Sequence, residues 1–148
     1  MKKTILISLI VGITLMFGSW AMAASTPTLL APTGLTCTPD ADSVLFDWDD
    51  VIGATKYSVD VEVLTIGTWD EGVIVKLSFG TSDRTDGGLM GDSNLDVPLV
   101  DFAFDINGDG VPEQLYGYAR AKVKALNPPG KGKSQNNPFS DWCYFTIP

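Results

Sequence analysis

Residues 105–113, Asp-Ile-Asn-Gly-Asp-Gly-Val-Pro-Glu, place oxygen-bearing side chains at the spacing with which a short loop wraps a cation. Asp105, Asn107 and Asp109 stand at every second position, and Glu113 adds a further carboxylate. The glycines between them permit the backbone angles of a tight turn. Because crowded carboxylates repel one another unless a cation neutralises them, and because Ca²⁺ takes oxygen ligands, the spacing predicts a calcium site.

Two further groups complete the predicted ligand set. The carbonyl oxygen of Val111 takes the place of a backbone ligand, and Glu113 binds directly or through water. Magnesium suits the loop less well, because it demands octahedral geometry and keeps several waters. The alternative is a plain turn, since Asn-Gly and Asp-Gly are also hairpin dipeptides. Nearby acidic residues either complete the coordination shell or are solvated: Asp83, Asp86, Asp92, Asp96 and Asp101.

The same spacing separates this loop from one large group of calcium sites. An EF-hand requires a glutamate at its twelfth position, where this chain has Tyr116. The loop resembles instead the Asp-x-Asn-x-Asp-Gly-x-x-Asp loops of integrin-type propeller repeats and thrombospondin type 3 repeats. That resemblance implies calcium bound between non-helical elements, with Glu113 in the place of the last aspartate.

Three aromatic residues are candidates for contact with a partner or a sugar. Trp69 lies in a predicted turn, and Trp142 and Tyr144 share one face of the last predicted strand. Exposed tryptophan and tyrosine side chains form stacking platforms for sugars or hot spots for protein partners. Packing in the core or at an interface explains these residues equally well. Trp48, in contrast, is predicted to lie in the core.

The composition gives little support for catalysis. The chain contains no histidine, which excludes Ser–His and Cys–His nucleophile pairs and His-ligated zinc. A carboxylate pair can cleave glycosides, but no such pair stands out. We therefore predict that the chain is not an enzyme.

The elements that must position these residues are β-strands. Apolar and polar residues alternate, or β-branched residues cluster, in six segments: residues 43–48, 57–63, 73–79, 95–104, 116–126 and 141–147. Pro98 indicates an edge strand or a bulge, and residues 81–94 read as a long surface loop. No segment has helical periodicity, so we predict an all-β sandwich of about seven strands in two sheets.

Several of these segments resemble a fibronectin type III domain. Pro-Thr-Gly-Leu at residues 32–35, with residues 43–48 and 53–61, resembles the opening of that family, including its buried tryptophan and the tyrosine of its third strand. Residues 120–127 resemble its penultimate strand, and residues 137–141 resemble the Pro-Ser turn before its last strand. The resemblance implies a Greek-key sandwich that binds a partner or acts as a spacer between other domains. It fades in the middle of the chain, where two loops look inserted.

One position departs from the family. Its tyrosine corner falls on Ala119 in this chain, with Tyr118 one place away. Either a bulge shifts the register or the corner is absent.

The first residues predict export. Lys2 and Lys3, an almost wholly apolar run over residues 5–17, and small residues around Met22 form the pattern of a secretory signal peptide cleaved after Ala23. The alternative is an uncleaved anchor, but the apolar run is shorter than the roughly 20 residues of a bilayer span. We predict a signal peptide at 1–23 and a single domain at 24–148, in a bacterial protein that is secreted, periplasmic or at the cell surface.

The charge of the chain limits the partners that it can bind, and its two cysteines indicate the compartment in which it folds. The chain has 10 basic and 18 acidic residues, and removal of Lys2 and Lys3 leaves 8 basic residues and a net charge of −10. This charge disfavours nucleic acid and anionic membranes as partners. Cys37 and Cys143 are predicted to form a disulfide in an oxidising compartment. The alternative is a pair of buried thiols.

These observations predict an exported, non-catalytic binding or adhesion module stabilised by calcium and one disulfide. One alternative is a structural subunit of a bacterial surface assembly or filament, for which self-association is expected. A further alternative is a carbohydrate-binding accessory domain. The partner, a protein or a cell-surface polymer, is not identified by the sequence.

Overall fold

The computed structural model describes residues 28–82, 87–127 and 137–148, so the predicted signal peptide lies outside the described residues. These ranges contain nine β-strands and a 3₁₀ turn at Leu99–Asp101. In chain order the strands are β1 (Thr36–Pro39), β2 (Ser43–Asp47), β3 (Lys56–Ile66), β4 (Val73–Gly80), β5 (Asn94–Pro98), β6 (Ala103–Phe104), β7 (Glu113–Gln114), β8 (Gly117–Leu126) and β9 (Cys143–Ile147). In the described part of the chain, no helix is long and apolar enough to cross a membrane.

Seven of the strands form two antiparallel sheets. One sheet has three strands in the order β1-β2-β5, and the other has four in the order β4-β3-β8-β9. The long strand β3 pairs with β4 on one side and β8 on the other, so that Val61 lies opposite both Leu77 and Ala121. This arrangement is the all-β sandwich of two sheets that the sequence predicted.

The core lies between the two sheets and follows directly from the alternation of the sequence. In β3, every second side chain is buried, from Tyr57 to Val63. Phe46 of the three-stranded sheet packs edge-on against Phe145 of the four-stranded sheet, with ring centroids 5.7 Å apart. Trp48 is 4% exposed and packs against Tyr57, which confirms its predicted place in the core.

The single strand predicted over residues 95–104 is wrong beyond Pro98. β5 ends at Pro98, the 3₁₀ turn follows, and β6 begins at Ala103. Proline has no N–H to continue a ladder, and the next N–H, that of Leu99, donates to the carbonyl oxygen of Asp42 at 2.9 Å. β5 is an edge strand, as Pro98 indicated.

The exposed fractions of individual side chains decide two other predictions, the tyrosine corner and the start of the surface loop. Ala119 is buried and Tyr118 is 69% exposed, so the tyrosine corner is absent from this position. Thr81, predicted to begin a surface loop, is completely buried. Its Oγ1 donates to the carbonyl oxygen of Met90 at 2.6 Å and accepts from the N–H of Tyr57 at 2.9 Å.

A disulfide joins Cys37 of β1 to Cys143 of β9, with Cα atoms 6.1 Å apart. β1 is an edge of the three-stranded sheet and β9 an edge of the four-stranded sheet. The predicted disulfide is therefore present, and it connects one sheet to the other.

Candidate metal centre and aromatic face

Residues 105–112 form the loop of a short β-hairpin that is inserted between β5 and β8. β6 and β7 pair antiparallel, with Phe104 opposite Glu113. The base of this hairpin is fixed by Phe102 and Leu115, which are 0% and 2% exposed and are joined by a 2.8 Å hydrogen bond from Leu115 N–H to Phe102 O. The side-chain amide of Gln114 also donates to the carbonyl oxygen of Phe102, at 3.0 Å. The hairpin of β6 and β7 therefore has a buried base and an exposed loop.

The loop brings three carboxylates together. Asp105, Asp109 and Glu113 each offer an oxygen, and these oxygens all lie within 4.8 Å of one another. Asp105 and Glu113 are partly buried, and Asp109 is exposed. Three of the predicted ligands thus converge on one point.

Backbone N–H groups of the loop hold these carboxylates in place. Asp105 Oδ1 accepts from the N–H groups of Gly108 (2.7 Å) and Asp109 (3.1 Å), and Asp105 Oδ2 accepts from Gly110 N–H (2.8 Å). Glu113 Oε2 accepts from Ile106 N–H at 2.9 Å. A carboxylate oxygen has two lone pairs, so Asp105 Oδ1 is fully used by its two bonds, whereas Asp105 Oδ2 and Glu113 Oε2 each keep one lone pair for a cation.

The backbone of the loop depends on two glycines. Gly108 and Gly110 have φ values of +78° and +86°, and a Cβ at either position would meet nothing within 4 Å. Glycine is therefore required there by the left-handed backbone and not by lack of space.

The other two predicted ligands, Asn107 and Val111, take part in the same hydrogen-bond network. Asn107 Oδ1 accepts from Asp109 N–H at 2.9 Å, and its Nδ2 donates to Glu113 Oε1 at 2.7 Å. Val111 enters the network through its N–H, which donates to Asp109 Oδ1 at 2.8 Å. Asp92, Asp96 and Asp101 lie outside the three-carboxylate group, and Asp83 and Asp86 lie outside the described residues.

The donor set is made entirely of hard oxygen atoms, and no nitrogen or sulfur ligand joins it in the described residues. Calcium accepts such ligands in flexible geometry, whereas zinc prefers histidine and cysteine. The residues present therefore fit calcium, with Asp105, Asp109 and Glu113 as the residues that would hold it.

The three aromatic candidates meet on the outer face of the four-stranded sheet. The rings of Trp69 and Tyr144 are 6.4 Å apart at 74° to one another. The guanidinium of Arg120 lies 4.3 Å from the ring centroids of both Trp69 and Trp142. Trp69 is half-buried by these contacts and Tyr144 is 62% exposed, so neither is a core residue.

Sequence reasoning missed Arg120, which connects the three rings. Its Nε and Nη2 atoms both donate to Glu62 Oε2, at 2.9 and 2.7 Å, and Glu62 Oε1 also lies 3.3 Å from Lys76 Nζ. The signal in the sequence was the alternation of basic with small apolar residues along β8. That alternation placed Arg120 on the outer face, but it did not show which rings would reach it.

Comparisons with known proteins match the chain to solved structures alone. No protein-family model matches the chain, and no curated protein matches it. Among solved structures, the chain is similar to a Fn3-like protein from Clostridium thermocellum, with 16% sequence identity and a TM-score of 0.42 over 84% of this chain and 96% of that chain.

Proposed function

We propose that this chain is a non-catalytic binding module of an exported protein, in which calcium bound at residues 105–113 fixes the inserted hairpin. The observation that carries the proposal is the convergence of Asp105, Asp109 and Glu113 within 4.8 Å. The disulfide supports export, since such bonds persist in oxidising compartments. The sandwich supplies a rigid scaffold for loops and faces that contact a partner.

The cation acts here as a staple between two very short strands. β6 and β7 contribute two residues each to their ladder, which is too little pairing to order a long loop by itself. A cation held by Asp105 before the loop and Glu113 after it connects the two ends. Calcium that binds the folded state alone adds about 2.7 kcal/mol of stability at a hundred times its dissociation constant.

Thermal unfolding in millimolar calcium and in a chelator tests the proposal. The wild type should melt several degrees higher in calcium, by the same linkage, and magnesium should replace calcium poorly. The double variant Asp105→Ala, Asp109→Ala should melt at one temperature in both buffers. The single variant Asp109→Asn should weaken calcium binding in calorimetry, because it removes one charge from an exposed ligand.

Asp50→Asn is the matched control, since Asp50 is an exposed aspartate outside the calcium loop. Its calcium-dependent rise in melting temperature should equal that of the wild type. Identical wild-type melts in the two buffers, together with no heat of calcium binding, would remove calcium from the proposal.

A further inference from the structure

The charges of the described residues are segregated between surfaces. All five basic residues in these ranges project from the outer face of the four-stranded sheet: Lys56, Lys76, Arg120, Lys122 and Lys124. Two acidic residues of the strands, Asp60 and Glu62, share that face. Asp70, Glu71 and Asp141 lie in the segments that carry Trp69 and Trp142. In a strongly acidic protein, the strands of this sheet therefore carry an excess of positive charge on their outer face.

The basic side chains of β8 alternate with aromatic rings in one row. After Trp69, Arg120 and Trp142, the row continues with Lys122, which lies 4.7 Å from the centroid of Trp142 and 4.2 Å from that of Phe139. Lys124 lies 4.6 Å from the centroid of Phe139. We call the segment Trp142, Lys122, Phe139 and Lys124 the basic–aromatic row.

Strand geometry explains this alternation. Side chains two residues apart on one face of a strand are separated by about 6.6–6.8 Å, which is about twice the 3.5 Å contact distance of an aromatic ring. A ring therefore fits between successive cations of β8. The segment that carries the rings is fixed alongside, because Ser140 N–H donates to Val123 O at 2.8 Å and Val123 N–H donates to Ser140 Oγ at 3.0 Å.

The two lysines of the row differ from Arg120 in their electrostatics. Glu62 pairs with both Arg120 and Lys76, whereas Lys122 and Lys124 contact rings and form no ion pair within the described ranges. An ammonium group over a ring keeps N–H donors that can face an incoming carboxylate. In the register of β3 and β8, Asp60 lies opposite Lys122 and the uncharged Ser58 lies opposite Lys124, so the positive charge of the row is least compensated at Lys124.

We propose that the basic–aromatic row binds a linear anionic polysaccharide of the uronic acid class, a proposal that specifies the partner of the binding module proposed above. Evenly spaced ammonium groups on a straight strand match a polymer with regularly repeated carboxylates. Trp142 and Phe139 are already contacted by cations, so recognition depends on charge more than on stacking of a neutral sugar. Tyr144, 62% exposed beside the row, offers an apolar surface to a sugar ring.

Isothermal titration calorimetry with polygalacturonate and alginate, at low and high salt, tests this proposal, with dextran as the neutral polymer. A chelator is present throughout, so that calcium cannot bridge the polymer to the acidic loop. The wild type should bind the two anionic polymers but not dextran, and salt should weaken binding. The double variant Lys122→Gln, Lys124→Gln should bind at least about tenfold more weakly, as expected for two lost ion pairs.

The matched control is Lys56→Gln with Lys76→Gln, which removes two positive charges from the same face outside the row. It should bind nearly as tightly as the wild type, and both double variants should keep the wild-type circular dichroism spectrum. Equal losses in the two variants, or no binding of either anionic polymer at low salt, would overturn the proposal.

Two further outcomes would assign the row to another partner and would also overturn the proposal. The first is equally tight binding of a thymidine oligonucleotide. The second is self-association of the wild type that the Lys122→Gln, Lys124→Gln variant abolishes, as measured by light scattering without polymer. The chelator removes any contribution of calcium to polymer binding. A negative polymer titration therefore leaves the calcium melting test unaffected, and a negative calcium melting test leaves the polymer titration unaffected.

Discussion

Glu62 lies between two cations on the outer face of the four-stranded sheet, and its pKa is lower than its ordinary value of 4.5. Burial by itself raises the pKa of this carboxyl, but hydrogen bonds from Arg120 and Lys76, together with their charges, outweigh burial. Burial by itself lowers the pKa of Arg120, but its hydrogen bonds with Glu62 and Tyr144 and their charges raise it above its ordinary value. Glu62 is therefore ionised throughout the neutral range, and it holds Arg120 between the two tryptophan rings.

This pKa shift predicts a pH-dependent effect of Glu62→Gln. A group whose folded pKa is depressed adds stability above its unfolded pKa and loses it as pH falls through the folded value. The variant should therefore be less stable than the wild type at neutral pH, by about 1–2 kcal/mol for a partly buried charged hydrogen bond. The difference should shrink as pH falls below 4.5. Urea unfolding at a series of pH values measures it.

Glu71→Gln is the control for this series, because Glu71 is an exposed glutamate. Its effect should be small at every pH. If the free energy of unfolding of Glu62→Gln stayed below that of the wild type by a constant amount down to acidic pH, packing and not the charge of Glu62 would account for the lost stability.

At the scale of elements, one hydroxyl group connects three segments of the chain. Thr81 Oγ1 links the start of β3, through Tyr57 N–H, to the segment before β5, through Met90 O. The backbone N–H of Thr81 also donates to Tyr57 O at 3.0 Å. The long connection from β4 to β5 therefore begins at a buried clamp.

Thr81→Val should destabilise the fold by about 1–3 kcal/mol, since it leaves the buried N–H of Tyr57 and the C=O of Met90 without their partner. Thr81→Ser keeps the hydroxyl and should lose much less stability. The pair of variants therefore separates the contribution of hydrogen bonding from that of side-chain shape. Chemical denaturation measures the stability of both variants, with one common slope of unfolding free energy against denaturant concentration. A loss for Thr81→Ser as large as that for Thr81→Val would contradict the clamp, because serine keeps the hydroxyl and lacks only the methyl group.

At the scale of the whole molecule, the disulfide connects the two sheets across nearly the full length of the domain. Cys37 and Cys143 are separated by 106 residues, and their strands β1 and β9 lie against each other. Cross-linking a loop of this length lowers the entropy of the unfolded chain far more than that of the folded one.

Cys37→Ala with Cys143→Ala should lower the free energy of unfolding by about 4–5 kcal/mol on the chain-entropy model. The measurement is the denaturant midpoint, compared for the wild type with and without reductant. Reductant should bring the wild type close to the double variant and should leave the double variant unchanged. A wild-type midpoint that is insensitive to reductant would favour the alternative of two buried thiols.

The sequence alone determined the features that depend on local spacing. Alternation along residues 57–63 fixed which side chains of β3 are buried, because a strand has a two-residue repeat. The candidate ligands Asp105, Asp109 and Glu113 lie within nine residues, so their convergence needed only a turn. The disulfide followed from there being two cysteines in a chain with a predicted signal peptide.

Tertiary structure alone decided the features that depend on residues far apart in the chain. Trp69 and Trp142 meet at Arg120 because β3, β8 and β9 are neighbours in one sheet, and no local pattern specifies strand order. Thr81 is buried because its hydroxyl satisfies backbone groups of distant segments, although its own surroundings in the sequence are polar. The strand expected over residues 95–104 ends at Pro98 because the next N–H finds its acceptor at Asp42, a contact that exists only after β2 and β5 pair.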